Sequence, residues 1–309
     1  MSSNAISARM MGCFTGLVVG DAFGAPYEFF PRGKLVVREN FTEIANSKLM
    51  IKKGEWTDDS AMALALADSL LSCGDFNPRD QLERYRRWVY TETGYCSSRA
   101  TAFGFGQTFL KALWYSTKHD TPYPGRINPR RPGNGSIMRL APIPIYFFAD
   151  LAQTVEYAGL SSQVTHGHPE SVFAARLLAR ILHQALQGAQ KAELLRQPPE
   201  AEAPESIQAI ARGDYLDKPM AEINGTFFAA PCLEAALWCF ARTDSFQEAI
   251  RLAVALGGDT DSTAAVCGQV AGAYYGLAAI PEPWTTELVK RDEVVAVAER
   301  LCAAGCAGL

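Results

Sequence analysis

The chain has 309 residues, 48% of them hydrophobic, 20% charged and 10% aromatic. A chain of this size and composition buries most of its apolar surface without disulfide or metal staples, which excludes disorder, collagen and coiled coil as whole-chain descriptions. Its 29 Lys and Arg against 33 Asp and Glu leave a net charge of −4, which supplies no phosphate-neutralising surface and excludes a generic nucleic-acid or anionic-membrane binder.

In chain order the periodicity is helical nearly everywhere. Ile6 to Val19 is apolar, Gly-punctuated, and ends at Gly20-Asp21. The Leu35-Val36-Val37 run is the one plausible strand. Ser60 to Cys73 is rich in Ala and Leu, the best helix formers, and stops at Gly74, a usual helix-terminating residue. Pro78 to Thr91 opens with Pro in the first turn and carries the charged face of Arg84, Arg86 and Arg87. Further helices are predicted at 104–117, 150–163, 169–187, 204–212, 229–242, 245–256, 261–277 and 292–303. Two stretches are not helical in pattern. Residues 119–134 hold four prolines and two glycines and read as a long ordered loop or lid. Residues 190–205 read as a polar surface excursion. Chemistry-bearing motifs lie on both sides of each stretch, so neither is a linker. The prediction is an all-α protein, one domain spanning 1–309.

The eight cysteines are scattered, and none forms a CxxC pair. They read as reduced thiols of a cytoplasmic protein. No signal peptide and no apolar run of about 20 residues stands out, so no membrane partner is expected.

Three short segments place carboxylates beside glycines or hydroxyls: Gly20-Asp21 through Glu28, Thr57-Asp58-Asp59-Ser60, and Gly257-Gly258-Asp259-Thr260-Asp261-Ser262. The latter two stand just before Ala-rich helices. Helix capping would use one or two of these groups. Paired carboxylates ahead of buried helices are costly unless a cation neutralises them. Carboxylates and hydroxyls without His or Cys select hard cations, Mg²⁺ or Mn²⁺, and no spacing suits zinc. Asn134-Gly135-Ser136 precedes Ile137-Met138-Arg139 and reads either as a turn with a cap or as an anion cradle of backbone N–H groups. Thr165-His166-Gly167-His168-Pro169 puts two of the chain's four histidines in one loop before a helix.

Together these segments resemble the ADP-ribosylglycohydrolase family of the dinitrogenase-reductase-activating type. The matching pieces are GLVVGDAFGAPYE at 16–28, WTDDSAMALALADSLL at 56–71, GYCSS at 94–98, GNGSIMRLAPI at 133–143, THGHPES at 165–171 and GGDTDSTAAVCGQVAGAYYG at 257–276. The resemblance implies a compact orthogonal bundle of helices with a central cleft holding two divalent cations. Its metal ligands would be Thr57, Asp58, Asp59, Asp259, Asp261 and Ser262. Asn134, Gly135 and Ser136 would hold the diphosphate of ADP-ribose, and His166 would lie near the ribose and diphosphate. The implied activity is release of ADP-ribose from an ADP-ribosylated protein by a monomer, with arginine favoured as the modified residue and serine as the other family type.

Cleavage of a glycosyl bond passes through an oxocarbenium-like state and needs a carboxyl group as acid or base near the scissile bond. Glu28 is favoured for that role, with Asp58 or Asp59 as the other choices. Competing readings are cleavage of another ADP-ribosyl linkage, a non-catalytic binder of the same fold, and a two-metal phosphohydrolase. One position departs from the family pattern: Gly104 of Ala102-Phe103-Gly104-Phe105-Gly106 stands where an Asp is common. That counts against a mechanism using this Asp and weakens the case for arginine as the leaving side chain, and Gly104 and Gly106 would instead shape a loop over the terminal ribose. Loops 94–106 and 119–133 are expected to select the acceptor.

Overall fold

A computed structural model of the chain describes residues 3–44, 47–127 and 129–307. Its α-helices in order are α1 (Ser3–Gly24), α2 (Asp58–Cys73), α3 (Pro78–Arg86), α4 (Gln107–Ser116), α5 (Pro142–Tyr146), α6 (Leu151–Thr165), α7 (Pro169–Leu186), α8 (Lys191–Leu194), α9 (Glu205–Arg212), α10 (Ala229–Ala241), α11 (Phe246–Ala255), α12 (Thr260–Tyr275), α13 (Glu282–Thr286) and α14 (Arg291–Cys306). The described residues contain no strand, so the protein is an all-helical single domain. No described helix is long and apolar enough to cross a membrane.

The centre of the fold is the pairing of α1 with α12. Gly12, Gly16, Gly20 and Gly24 recur every four residues and so share one face of α1. Each lies against the backbone of Gly272, Gly268, Ala264 and Thr260 respectively, where an added β-carbon would strike a carbonyl oxygen. The two helices therefore run antiparallel in backbone contact. This crossing sets the site: it lays the last turn of α1, with Asp21, against the first turn of α12, with Asp261. Both helices are buried on nearly all sides from Met10 to Gly24 and from Thr260 to Ala273, which is why neither shows a one-sided apolar stripe.

Around this pair pack the other layers. α2 ends on Gly74 in the left-handed conformation, its N–H bonded to the Leu70 carbonyl. α3 starts on Asn77, which accepts from the N–H groups of Arg79 and Asp80. Trp284 of α13 lies fully buried against Phe23, with ring centroids 4.3 Å apart. All eight cysteines are free thiols.

Several predicted boundaries need correction. Leu35–Val37 is irregular chain, not a strand: no second strand exists among the described residues for it to pair with, and Val36 is exposed. The helix predicted over 104–117 begins at Gln107, because Gly104 has a positive φ of 91°. The helix placed at Ile6–Val19 runs on to Gly24. Asp21 is thus inside the last turn of α1, and Glu28 lies beyond it. The turn Arg87–Thr91 continues α3 with a wider winding. The loop 119–134 contains one tight turn at Pro124–Arg126, and the excursion 190–205 contains the short α8.

Candidate metal and anion site

The site is assembled by helix ends. Thr57 precedes α2 and Asp259 precedes α12, yet neither side chain caps its own helix. The cap of α2 comes from Asp21. Its carboxylate accepts the Thr57 N–H at 3.0 Å, the Thr57 hydroxyl at 2.9 Å, the Ser60 N–H at 3.0 Å and the Ser60 hydroxyl at 2.6 Å. A residue on α1 therefore neutralises the N-terminus of α2. Asp58, Asp59 and Asp259 are released from capping, which removes the simplest reading of those clusters.

Two overlapping carboxylate groups result. Oxygens of Asp21, Asp59 and Asp261 lie within 4.8 Å of one another, and so do oxygens of Glu28, Asp259 and Asp261. Asp261 belongs to both. Burial pushes the Asp21 carboxyl up to about 6 and the Glu28 carboxyl, which also faces Asp259 and Asp58, up to about 9. Burial and the neighbouring Asp21 push Asp58 up to about 8. Asp59 and Asp261 are raised well above the ordinary carboxylate range, first by burial and then by like charge. Two of these atoms, Asp59 Oδ1 and Glu28 Oε2, are buried without a hydrogen-bond partner. Crowded carboxylates with unpartnered oxygens are what a hard divalent cation satisfies, and the donor set is all oxygen. The residues present fit such ions.

A cavity of about 570 Å³ opens above the cluster. It is lined by Glu28, Asp58, Gly104, Gly106, Asn134, Gly135, His166, Asp259, Asp261 and Ser262, all candidates from the sequence. Thr57, Asp59 and Ser136 lie behind this lining. The Thr57 hydroxyl is occupied by Asp21 and Asp59, and Ser136 Oγ donates to the Ser171 carbonyl at 3.4 Å. The Ser262 N–H donates to Asp261 Oδ1 at 2.9 Å. Gly104 abuts the cluster: a β-carbon there would come 2.5 Å from Asp58 Oδ1.

The Asn-Gly-Ser segment divides its labour. The Asn134 amide donates to Asp259 Oδ2 at 2.6 Å, and the Asn134 N–H to the Phe227 carbonyl at 3.0 Å. The Gly135 and Ser136 N–H groups take no carbonyl among the described residues, and of the two residues Gly135 lines the cavity. Gly135 packs on the His166 ring, where a β-carbon would lie 2.5 Å from Cε1. The paired histidines separate: His166 lines the cavity, whereas His168 Nδ1 accepts the Glu170 N–H and caps α7.

The residue-by-residue reading missed three groups. Asp21 was visible in its motif but not assigned its capping role, which depends on the α1–α12 crossing. Arg139 closes the GNGSIMR segment as a fully buried side chain. The cavity rim carries Lys111, Arg130 and Arg131 with the exposed Phe29 and Phe227. No periodicity marks the rim residues, because Lys111 stands on α4 and the others come from separate loops.

Comparison with known proteins places this arrangement. The chain is 36% identical over 293 residues to the ADP-ribosylarginine hydrolase Tri1 of Serratia proteamaculans, covering 95% of this chain and 78% of that one. It is 27% identical over 295 residues to the ADP-ribosyl-[dinitrogen reductase] glycohydrolase of Rhodospirillum rubrum, covering 95% and 94%. A solved structure described as an ADP-ribosylglycohydrolase-related protein complex superposes with a TM-score of 0.86 at 37% identity, covering 98% of this chain and 99% of that chain. The family model for ADP-ribosylglycohydrolase matches residues 2–307, a span that holds both α1 and α12 and the acidic motifs their crossing gathers; the chain belongs to the ADP-ribosylglycohydrolase family.

Proposed function

We propose that this protein is an ADP-ribosyl-acceptor hydrolase that releases ADP-ribose from ADP-ribosylated arginine side chains of a protein. The observation that carries the reading is Asp261, shared by two buried carboxylate groups at the floor of the cavity. The similarity to ADP-ribosylarginine hydrolases, at 36% and 34% identity, supports arginine as the acceptor. The Gly104 position, where an Asp is common in the family, lies against Asp58.

Asp59, Asp261 and Asp259 would hold two divalent ions, Mg²⁺ or Mn²⁺, with Asp58, Thr57 and Ser262 completing the set. When bound, such ions supply Lewis-acid stabilisation and orient a vicinal diol and a water at the reacting ribose. The chain's own residues do the rest. Asn134 holds Asp259 in place through its amide. The Gly135 and Ser136 N–H groups offer an anion cradle for the diphosphate without a basic patch. Glu28, half-buried at the edge of the acidic cluster, is the acid–base group. Its place beside Asp259 and Asp261 suits proton exchange with the departing guanidine or the incoming water. Water adds its hydroxyl to the anomeric carbon as the carbon–nitrogen bond breaks, and its proton goes to the guanidine nitrogen.

The test offers arginine-, serine- and nucleic-acid-linked ADP-ribose in parallel with Mg²⁺ and follows free ADP-ribose. Release from the arginine adduct supports the reading. Release from the serine or nucleic-acid adduct alone reassigns the acceptor, and release from none favours a non-catalytic binder.

A further inference from the structure

Arg139 is fully buried, and its hydrogen-bond partners are all neutral. Its guanidinium donates to the Ser161 carbonyl at 3.1 Å and to Thr165 Oγ1 at 2.9 Å, and it lies 4.8 Å from the centre of the Tyr85 ring. Its Nε has no partner. Burial works against the charged form, and the Asp58 carboxylate, which favours this cation through space, makes no hydrogen bond with it among the described residues, so a purely structural role explains it poorly. Thr165 Oγ1 lies in turn 2.8 Å from His166 Nδ1. The far edge of that ring, at Nε2, has no protein partner among the described residues, lines the cavity, and lies under Gly133 and Gly135.

The direction of this chain of bonds is fixed by one fact. A guanidinium can only donate, and a hydroxyl has one proton to give. Thr165 Oγ1 accepts from Arg139, and among the described residues no other acceptor for its proton is in reach. Giving it to His166 Nδ1, as the unprotonated nitrogen, is the arrangement that leaves the Thr165 proton partnered among the described residues. The ring proton then sits on Nε2.

We propose that Arg139 and Thr165 are positioning residues that lock His166 in the Nε2–H tautomer, so that it presents a neutral hydrogen-bond donor to an anionic oxygen of a ligand held on the Gly133–Gly135 segment. The identity of that ligand as ADP-ribose rests on the function proposed above; the tautomer does not. A second proton on the ring is disfavoured by burial and by the Arg139 charge, so His166 is a fixed donor rather than an acid or base.

The test is nitrogen-15 NMR of the full-length, Mg²⁺-supplemented protein labelled at its four histidines. His166 is assigned by the signal that vanishes in His166→Gln. In the wild type its Nδ1 should resonate as an unprotonated ring nitrogen and its Nε2 as a protonated one. Thr165→Val keeps the shape but removes the hydroxyl, and should mix the tautomers and weaken ADP-ribose binding by about tenfold in calorimetry. Thr165→Ser should restore both. A wild-type ring protonated at Nδ1, or a tautomer unchanged in Thr165→Val, overturns the proposal. If wild-type protein shows the predicted tautomer but does not bind ADP-ribose, the functional reading fails and the tautomer assignment stands.

Discussion

Gly104 rests directly on Asp58: a β-carbon at position 104 would stand 2.5 Å from Asp58 Oδ1, and the residue adopts a φ of 91°. Space and backbone conformation both require glycine here. Gly104→Ala is predicted to strain the loop by about 1 kcal/mol or more and to displace Asp58. Divalent-dependent activity should fall at least about tenfold while circular dichroism stays helical. An Ala variant with wild-type activity would show that the Asp58 carboxylate has no fixed place in the site.

Removing a carboxylate from the cluster should separate metal binding from folding. Asp58→Ala or Asp259→Ala relieves like-charge crowding among buried groups, so the metal-free protein should melt no lower than wild type. The rise in melting temperature on adding Mg²⁺ should shrink or vanish, and activity should be lost. An undiminished rise in both variants would contradict the ligand assignment.

Asp21 calls for the opposite outcome. Its carboxylate serves the Thr57 and Ser60 donors at the start of α2. Asp21→Ala strands several buried donors and should cost at least ~2 kcal/mol in urea denaturation, with chelator present as well as without. A loss seen only in the metal-loaded protein would make Asp21 a ligand first and a cap second.

His166 predicts a pH dependence. Burial, then the Arg139 charge, pull its pKa from 6.5 down to about 3. The unfolded chain takes up the proton first as pH falls, so stability present above pH 6.5 is lost toward pH 3, by ~1.4 kcal/mol per pH unit at most. Between pH 6.5 and 4.5 wild type should lose more stability than His166→Gln, measured by urea midpoints. Equal losses would place the ring in contact with water.

Much of this site was legible in the sequence because its chemistry is written in short contiguous motifs. The carboxylate pairs at 58–59 and 259–261 sit before Ala-rich runs, and oxygen-only ligands already pointed to a hard cation. The α1–α12 seam was also present, as glycines spaced by four, but its meaning needs both helices at once: Gly16 is informative only when Gly268 lies against it. The role of Asp21 depends on that same long-range pairing. The strand expected at Leu35–Val37 failed for a related reason, since β-propensity has no effect without a partner strand. The helix boundary at 104 is not legible from propensity, because Gly104 is held out of the helix by its positive φ and by its direct contact with Asp58, which is 46 residues away in sequence. The rim residues Lys111 of α4 and Arg130 and Phe227 of two loops share no pattern.

The most direct test of the central claim is mass spectrometry of the products formed from an arginine-ADP-ribosylated peptide, with Mg²⁺ and with EDTA. The account predicts intact ADP-ribose and unmodified peptide with Mg²⁺, and unchanged substrate with EDTA. AMP as the product, or full release of ADP-ribose in EDTA, would contradict it.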